Sequence, residues 1–267
     1  MLDDQQDLAT VERRMAAVTS VHQVVQLIWL IARSQLPDVE AAAADAGTYV
    51  DWVDATICRL AGEPELAEPG AALHVVFGPE RGYCGGLTRE VIGGLPPEGH
   101  LGIVGRHLLE RATADDIDRA ARIRFTVPGP ASAFEHEAVA YDVARAILEH
   151  AGDAPVVVHY PSVDADGLVQ RHILSGGRRV VRDPPETFSP VSTTLEIGVR
   201  ELVMGRLAVA AIETLRAEVR ARVAASDRAR TGCDRRLEEL RGDLAVVRQS
   251  QVTSELLEIV AGHLTTR

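Results

Sequence analysis

The sequence predicts an α/β domain set between two long helices, one at each end of the chain, that pair as an antiparallel coiled coil. Three observations carry that prediction. Apolar residues near the start recur at gaps of three and four, and the same rhythm returns over the last stretch. Between them, short apolar runs alternate with helical patterns, as in a largely parallel sheet covered by helices. Two long helices joined through one domain bury their seams only against each other, and the shared connection makes the pairing antiparallel.

The first helix is expected from Asp3 to about Ala61, with residues 1–62 as its segment. Its stripe reads Leu8, Val11, Met15 and Val18, then Val21, Val24, Ile28 and Ile31. Pro37 predicts an interruption, after which EAAAADAGTYVDWVDATICRLAG resumes and Gly62 and Pro64 end it. A helix of about 58 residues extends close to 90 Å at roughly 1.5 Å per residue.

Residues 71–190 form the expected domain. ALHVVFG, HLGIVGR, IRFTV and APVVVHYPSV read as strands, and LTREVIGGL and ASAFEHEAVAYDVARAILEHA as helices. The second helix is amphipathic through Phe134, Val139, Val143 and Ile147. The turn DADG leads from the last strand into LVQRHILS, which predicts an antiparallel hairpin. Residues 192–265 contain neither proline nor a strong stop signal. Their stripe passes through Leu215, Val219, Val223, Cys233, Leu237, Leu240, Leu244 and Val247. Gly205, Gly232 and Gly242 each cost such a helix about 1 kcal/mol against alanine, and close packing on a second helix would explain them.

Composition narrows the function. The chain has 267 residues, 28 of them basic and all arginine, with 39 acids and a net charge of −11, which argues against nucleic acid as the main partner. Residues 1–69 carry 4 arginines and 12 acids, residues 70–192 carry 12 and 16, and residues 193–267 carry 12 and 11. The two ends therefore differ in sign, as paired helices would. Three widely spaced cysteines, Cys58, Cys84 and Cys233, make no paired framework and suit a reducing compartment. The start, MLDDQQDL, is acidic and unlike a secretory signal. The longest apolar run, VVQLIWLIA, falls well short of the roughly 20 residues that span a bilayer, so no direct span is expected.

Residues 78–87, GPERGYCGGL, follow the first strand directly. The loop invites reading as a phosphate cradle or as a thiol nucleophile at a helix start. It lacks the spacing of GxGxxG and any lysine, so the turn is the better reading and no nucleotide cofactor is expected. Glu135, His136 and Glu137 are neighbours on different helix faces without HExxH, and no zinc is expected. Asp164 and Asp166 precede Gly167 like the start of a calcium loop, but the twelfth position is Ser175, so a hairpin turn is favoured. His150, His159 and His172 are read as scattered surface or packing residues, and Arg178-Arg179 and Arg235-Arg236 as solvated charge.

Three stretches resemble the gamma subunit of rotary F-type ATP synthases. ERGYCGGLT, Glu80 to Thr88, is similar to the family's DRGLCGGLN loop. VRQSQVTSELLEIVAG, Val247 to Gly262, is similar to its ARQAxITQEIxEIVxG ending. RRMAAVTSVHQVVQLIWLIARSQL, Arg13 to Leu36, aligns without gaps to its first-helix pattern, roughly RRIRSVKNTQKITKAMELVAASRL. The resemblance implies a non-catalytic central-stalk rotor, peripheral on the cytoplasmic face of a bacterial plasma membrane. It implies alpha and beta subunits around the coiled coil, and the epsilon subunit and the c-subunit ring against the α/β domain. By the same resemblance Arg248, Gln249, Thr253 and Glu255 would touch the beta subunits, while Arg81, Gly82, Cys84, Gly85, Gly86 and Leu87 are structural.

The departures are specific. Family basic positions become Ala16, Thr19, Gln23, Gln26 and Gln35, the AM pair becomes Leu27-Ile28, and a motif glutamine becomes Ser254. The first helix and acidic balance resemble gamma-like subunits of alternative F-type operons, including sodium-type ATPases. Two rival readings follow from the residues: a coiled-coil adapter of this architecture, and a nucleotide- or thiol-dependent α/β enzyme with helical arms.

Overall fold

The structure is a computed structural model and describes residues 2–62, 64–65, 72–114, 116–165, 167–174, 177–178 and 187–265. In order the elements are α1 (Leu2–Ala61), β1 (Pro64–Glu65), β2 (Leu73–Phe77), α2 (Leu87–Gly93), β3 (His100–Val104), α3 (Arg106–Thr113), α4 (Ile117–Arg122) and β4 (Ile123–Val127). A single turn at Ala133–Glu135 then leads into α5 (His136–His150), followed by β5 (Val156–Pro161), β6 (Leu168–Leu174), β7 (Gly177–Arg178) and α6 (Val191–Thr265). The chain divides into two compact units, Met1–Ile31 with Val223–Arg267, and Ala32–Arg222.

The larger unit is built on a five-stranded sheet of order β4-β3-β2-β5-β6. The first four strands run parallel, and β6 returns antiparallel to β5 as the DADG turn predicts. Parallel strands are covered on both faces, which is why β5 reads as a continuous run, VVVHYP, and is buried throughout. On one face Val75, Phe77, Val158 and Tyr160 pack with Val139 and Val143 of α5 and Leu207 and Ala211 of α6. On the other, Val76, Leu101 and Ile103 pack with Val91 of α2 and Leu108 of α3. A short ladder joins β1 to β7, antiparallel, with Pro64 opposite Arg178.

Within this unit α1 and α6 pair antiparallel. Val39 and Ala43 meet Ile212, Leu215 and Val219, and farther along Val50, Val53 and Ile57 meet Leu202. Ion pairs cross the same junction, Arg220 with Glu40 and Arg206 with Asp54 at 3.1 Å, and the Tyr49 hydroxyl donates to Glu201 at 2.8 Å. Pro37 does not interrupt α1, which stays helical through it. An internal proline costs about 3 kcal/mol, and burial of Val39 and Ala43 just beyond it offsets that cost.

The smaller unit is a second antiparallel pairing of the two helices. Arg248 reaches Glu12 at 3.3 Å, His22 reaches Asp234 at 3.1 Å, and the Arg230 guanidinium lies 4.8 Å above the Trp29 ring. Leu237 and Leu240 are buried, and Leu244, Val247, Gln251 and Ser254 continue their row half-buried. On α1 the half-buried row is Leu8, Val11, Met15, Val18, His22, Val25 and Ile28, whereas Val21, Val24 and Ile31 are exposed. The seam expected through Val21 and Val24 is therefore one position out. Strict alternation of three and four carries Val18 on to His22, a polar residue that the apolar pattern steps over.

Leu8–Ala61 is by length and composition apolar enough to cross a membrane, a test the shorter run considered above does not meet. The contacts of Glu12, His22 and Trp29 with α6 are those of a paired helix.

The three α6 glycines named above have different surroundings. A Cβ on Gly205 would stand 2.7 Å from Val50 Cγ2, so close approach of the helices requires glycine there, whereas Gly232 and Gly242 have nothing within 4 Å. Gly232→Ala and Gly242→Ala are each expected to stabilise the chain by about 1 kcal/mol, and Gly205→Ala to destabilise it by about 1–3 kcal/mol. Urea midpoints of the three variants check both signs.

Candidate functional site

In an open parallel sheet of this order, ligands bind beyond the carboxyl ends of the strands, beside the strand where the chain reverses its direction of winding. Here that strand is β2, flanked by β3 and β5, and the segment leaving it is GPERGYCGGL. Gly78 N–H donates to Val104 O at 2.9 Å and Gly105 N–H to Val127 O at 2.9 Å, which draws the three loop starts together. Gly105 has φ +115, and a Cβ on it would lie 2.3 Å from Gly78 O, so only glycine passes.

The anion-binding capacity of this edge is already used by the chain's own carboxylates. The Glu80 side chain accepts from the backbone N–H of Arg106 at 2.9 Å, the Arg106 side-chain Nε at 2.5 Å and the Gly129 N–H at 2.7 Å. It thereby ties together the loops after β2, β3 and β4. The backbone N–H groups of Glu80 and Arg81 point in turn at Glu218 of α6, at 2.7 and 3.3 Å. Arg222, one turn on, is ion-paired to Glu218 and directs its Nε at Gly82 O at 3.4 Å. Glu218 is only 2% exposed and Arg222 is buried beside it. Burial pushes the Glu218 carboxyl above its ordinary value, against the pull of the Arg222 guanidinium and the two N–H donors.

Each residue expected to be structural has a definite place. Arg81 supplies its N–H to Glu218 and Gly82 its carbonyl to Arg222. Cys84 is 2% exposed with Sγ 3.3 Å from Thr88 Oγ1, so no substrate reaches the thiol. Gly85 takes φ +61, but so does Tyr83 at +62. Gly86 precedes α2 at an ordinary φ of −83 with open space around it, and Leu87 begins α2 and packs on the core. Of the three glycines, only Gly85 sits in the left-handed region; Gly82 and Gly86 are not required by backbone geometry.

The residues expected to meet a partner lie on the outside of α6 in the smaller unit. Gln249, Thr253 and Glu255 are exposed, and Thr253 Oγ1 donates to Gln249 O at 2.8 Å. Arg248 is exposed and holds Glu12. Around them Val252, Leu256, Leu257, Ile259 and Val260 are exposed, an apolar surface that inspection of polar motif positions alone overlooks.

Several of the other candidates are engaged within the chain. Glu135 accepts from Ala131 N–H and Ser132 Oγ, and His136 Nδ1 lies 2.6 Å from Ala133 O. Asp164 takes Arg216 at 2.7 Å; Asp166, Ser175 and Arg179 lie outside the described residues. Arg236 pairs with Glu239 at 2.6 Å. Among the described residues no three His, Cys, Asp or Glu side chains are placed to hold a metal.

Of the three histidines, His150 does stand apart, at the end of α5 against Phe125, but His159 and His172 share one sheet face with His74. Strand register sets His74 opposite Val157 and Val157 opposite His172, with His159 next along the same face. His159 is buried, and its Nε2 lies 3.0 Å from His74 Nδ1. Its Nδ1 has no hydrogen-bond partner, so the tautomer protonated at Nε2, which donates to His74, leaves only a lone pair unsatisfied. Burial, with help from His74 and His172, lowers its pKa to about 4.

Comparison with known proteins bears on the whole chain. A family model described as ATP synthase matches residues 7–264. Curated protein sequences give no match. Among solved structures, a rotor chain of the Euglena gracilis mitochondrial ATP synthase is 13% identical with TM-score 0.68, over 92% of this chain and 98% of that one. A chain of the OSCP/F1/c-ring assembly of the same enzyme is 14% identical with TM-score 0.67, over 97% and 94%. A chain of the central stalk and c-ring of the Tetrahymena thermophila mitochondrial ATP synthase is 13% identical with TM-score 0.55, over 77% and 99%. At such identities these likenesses speak to fold, and the fold they share is a central mixed sheet with long first and last helices.

Proposed function

This chain belongs to the gamma-subunit family of F-type ATP synthases, and from that premise we propose how its parts serve the machine. It is a non-catalytic rotor subunit of the central stalk, peripheral to the membrane and partnered by the head and the c-ring. The finer assignments are our reading. The paired helices turn within a ring of alpha and beta subunits, and the α/β domain sits against the epsilon subunit and the c-subunit ring. The complex lies on the cytoplasmic face of a bacterial plasma membrane, and rotation couples ion flow to nucleotide exchange at the beta subunits. An asymmetric rotor does this by favouring a different conformation in each successive catalytic subunit.

The observation that carries the reading is the match across residues 7–264, which takes in both helices as well as the domain. The internal filling of the anion site by Glu80 and Glu218 weighs against the enzyme with helical arms, because a phosphate would have to displace a buried carboxylate. A contact role for Arg248, Gln249, Thr253 and Glu255 is supported by their exposure beside the apolar surface of Leu256 and Val260.

The test is reconstitution with the chain's own alpha and beta subunits and observation of ATP-driven rotation. Rotation is the expected result, and failure to co-purify with the hexamer under gentle conditions overturns the reading in favour of an adapter. Alanine at Gln249, Thr253 and Glu255 together is expected to slow rotation while moving the stability of the chain by no more than about 0.5 kcal/mol per site, as exposed positions do. Unchanged rotation by that variant removes these residues from the contact.

A further inference from the structure

Helix α5 is apolar on two sides, and the core uses only one. Its inner face, Val139, Ala140, Val143 and Ile147, is buried against the sheet and α6. On the outside Tyr141 is 64% and Leu148 85% exposed, and Phe134, in the turn that leads into the helix, is 86% exposed. Isolated exposed apolar residues are ordinary. These three are spaced seven apart, and with Ala138 and Arg145 between them they give gaps of 4-3-4-3, the rhythm that seats a helix rather than a strand or a loop.

The surroundings specify the chemistry of what lies there. Glu137, Asp142 and Glu149 stand exposed along this face, and Arg145 among them is engaged by Asp142 at 3.3 Å. Between α5 and edge strand β4 lies a cavity of about 360 Å³, with Phe125, Val127 and Pro128 on the strand side and Asp142, Arg145, Ala146, Glu149 and His150 on the helix side. An arginine or lysine suits such a place, with its stem against the apolar wall and its charge beside Glu149, Asp142 being held already by Arg145. A second copy of this face would set acid against acid, and an anionic membrane would be repelled in the same way.

We propose that the outer face of α5 docks an amphipathic helix of a partner protein, with an apolar 4-3 seam and flanking arginine or lysine. Its seat from Phe134 to Leu148 is two heptads, or about 21 Å of helix. This surface belongs to the α/β domain alone and does not rest on the contact role assigned above to the end of α6.

The test uses the assembled complex purified through this chain. Tyr141→p-benzoylphenylalanine is irradiated and the adduct mapped by mass spectrometry. One adduct is expected, on a segment of another protein that carries apolar residues at 3-4 spacing and basic flanks. An adduct on a second copy of this chain, on lipid or on a segment without that pattern overturns the proposal, and so does no adduct. Tyr141→Glu with Leu148→Glu is expected to lower retention of that same partner about tenfold, the size of effect one buried anchor exerts. Its thermal midpoint stays unchanged, because neither side chain is in the core. Unchanged retention overturns the proposal. Retention of the head is read from the same preparations, so a failure of the rotor reading is seen separately.

Discussion

Glu218→Gln is expected to destabilise the α/β unit by about 3–5 kcal/mol, the range found when one partner of a buried ion pair is removed. The substitution keeps the volume but not the chemistry. Arg222 is left as a buried cation without its counter-charge. The amide carries only one acceptor oxygen, whereas the carboxylate offers one to Glu80 N–H and the other to Arg81 N–H and Arg222. Urea unfolding of the full chain measures the loss, and hydrogen exchange at the Glu80 and Arg81 amides localises it. A loss below about 1 kcal/mol would mean the nest is satisfied by water instead.

Two further variants separate charge from hydrogen bonding. Glu218→Leu with Arg222→Leu removes both charges, and replacing a whole buried pair is often close to neutral. Here it recovers only part of the loss, because the two loop N–H groups remain unsatisfied at roughly 1–3 kcal/mol each. Glu218→Ala leaves a carboxylate-sized hole facing N–H donors and a guanidinium. Added formate should then restore stability with saturation, as a ligand that binds only the folded state does. The same lock has a mechanical meaning in a rotor, since it fastens α6 to the loops of the domain that α6 must turn with.

That lock shows where legibility in the sequence ends. The strands were readable because parallel, doubly covered strands must be continuous apolar runs, and β5 is one. The loop was readable as a corner because three glycines follow a strand directly and no lysine accompanies them. Nothing in GPERGYCGGL names Glu218, which lies 138 residues away from Glu80 and enters only because α6 packs on the sheet. The seam of α1 failed differently. Apolar residues lie on more than one side of that helix, and its own sequence does not decide whether Val21 or His22 faces inward. The partner decides it, through Asp234 and the row of Leu237 and Leu240. His74 and His159 were invisible as a pair for a related reason, because their meeting depends on the register between β2 and β5.

Acidification should reveal that pair. His159 is held neutral with a pKa of about 4, against an ordinary 6.5, by burial and by the neighbouring His74 and His172. Burial also lowers His74, with Arg122 and His172 adding to it. The unfolded chain takes up a proton at His159 as pH falls below about 6.5, while the folded chain does so only near 4. The stabilisation is therefore complete above the ordinary value, is lost as pH drops through this window, and is spent below about 4. At about 1.4 kcal/mol per pH unit the loss amounts to roughly 3 kcal/mol. Urea titrations across the window, on this chain and on His159→Gln, isolate the effect from the many carboxylates, which titrate in both. The gap in stability between the two proteins should close or invert by roughly 3 kcal/mol on going from neutral to acid. A gap that does not change with pH would show that His159 takes up its proton in the folded state as readily as in the unfolded, and that the buried pair opens to water.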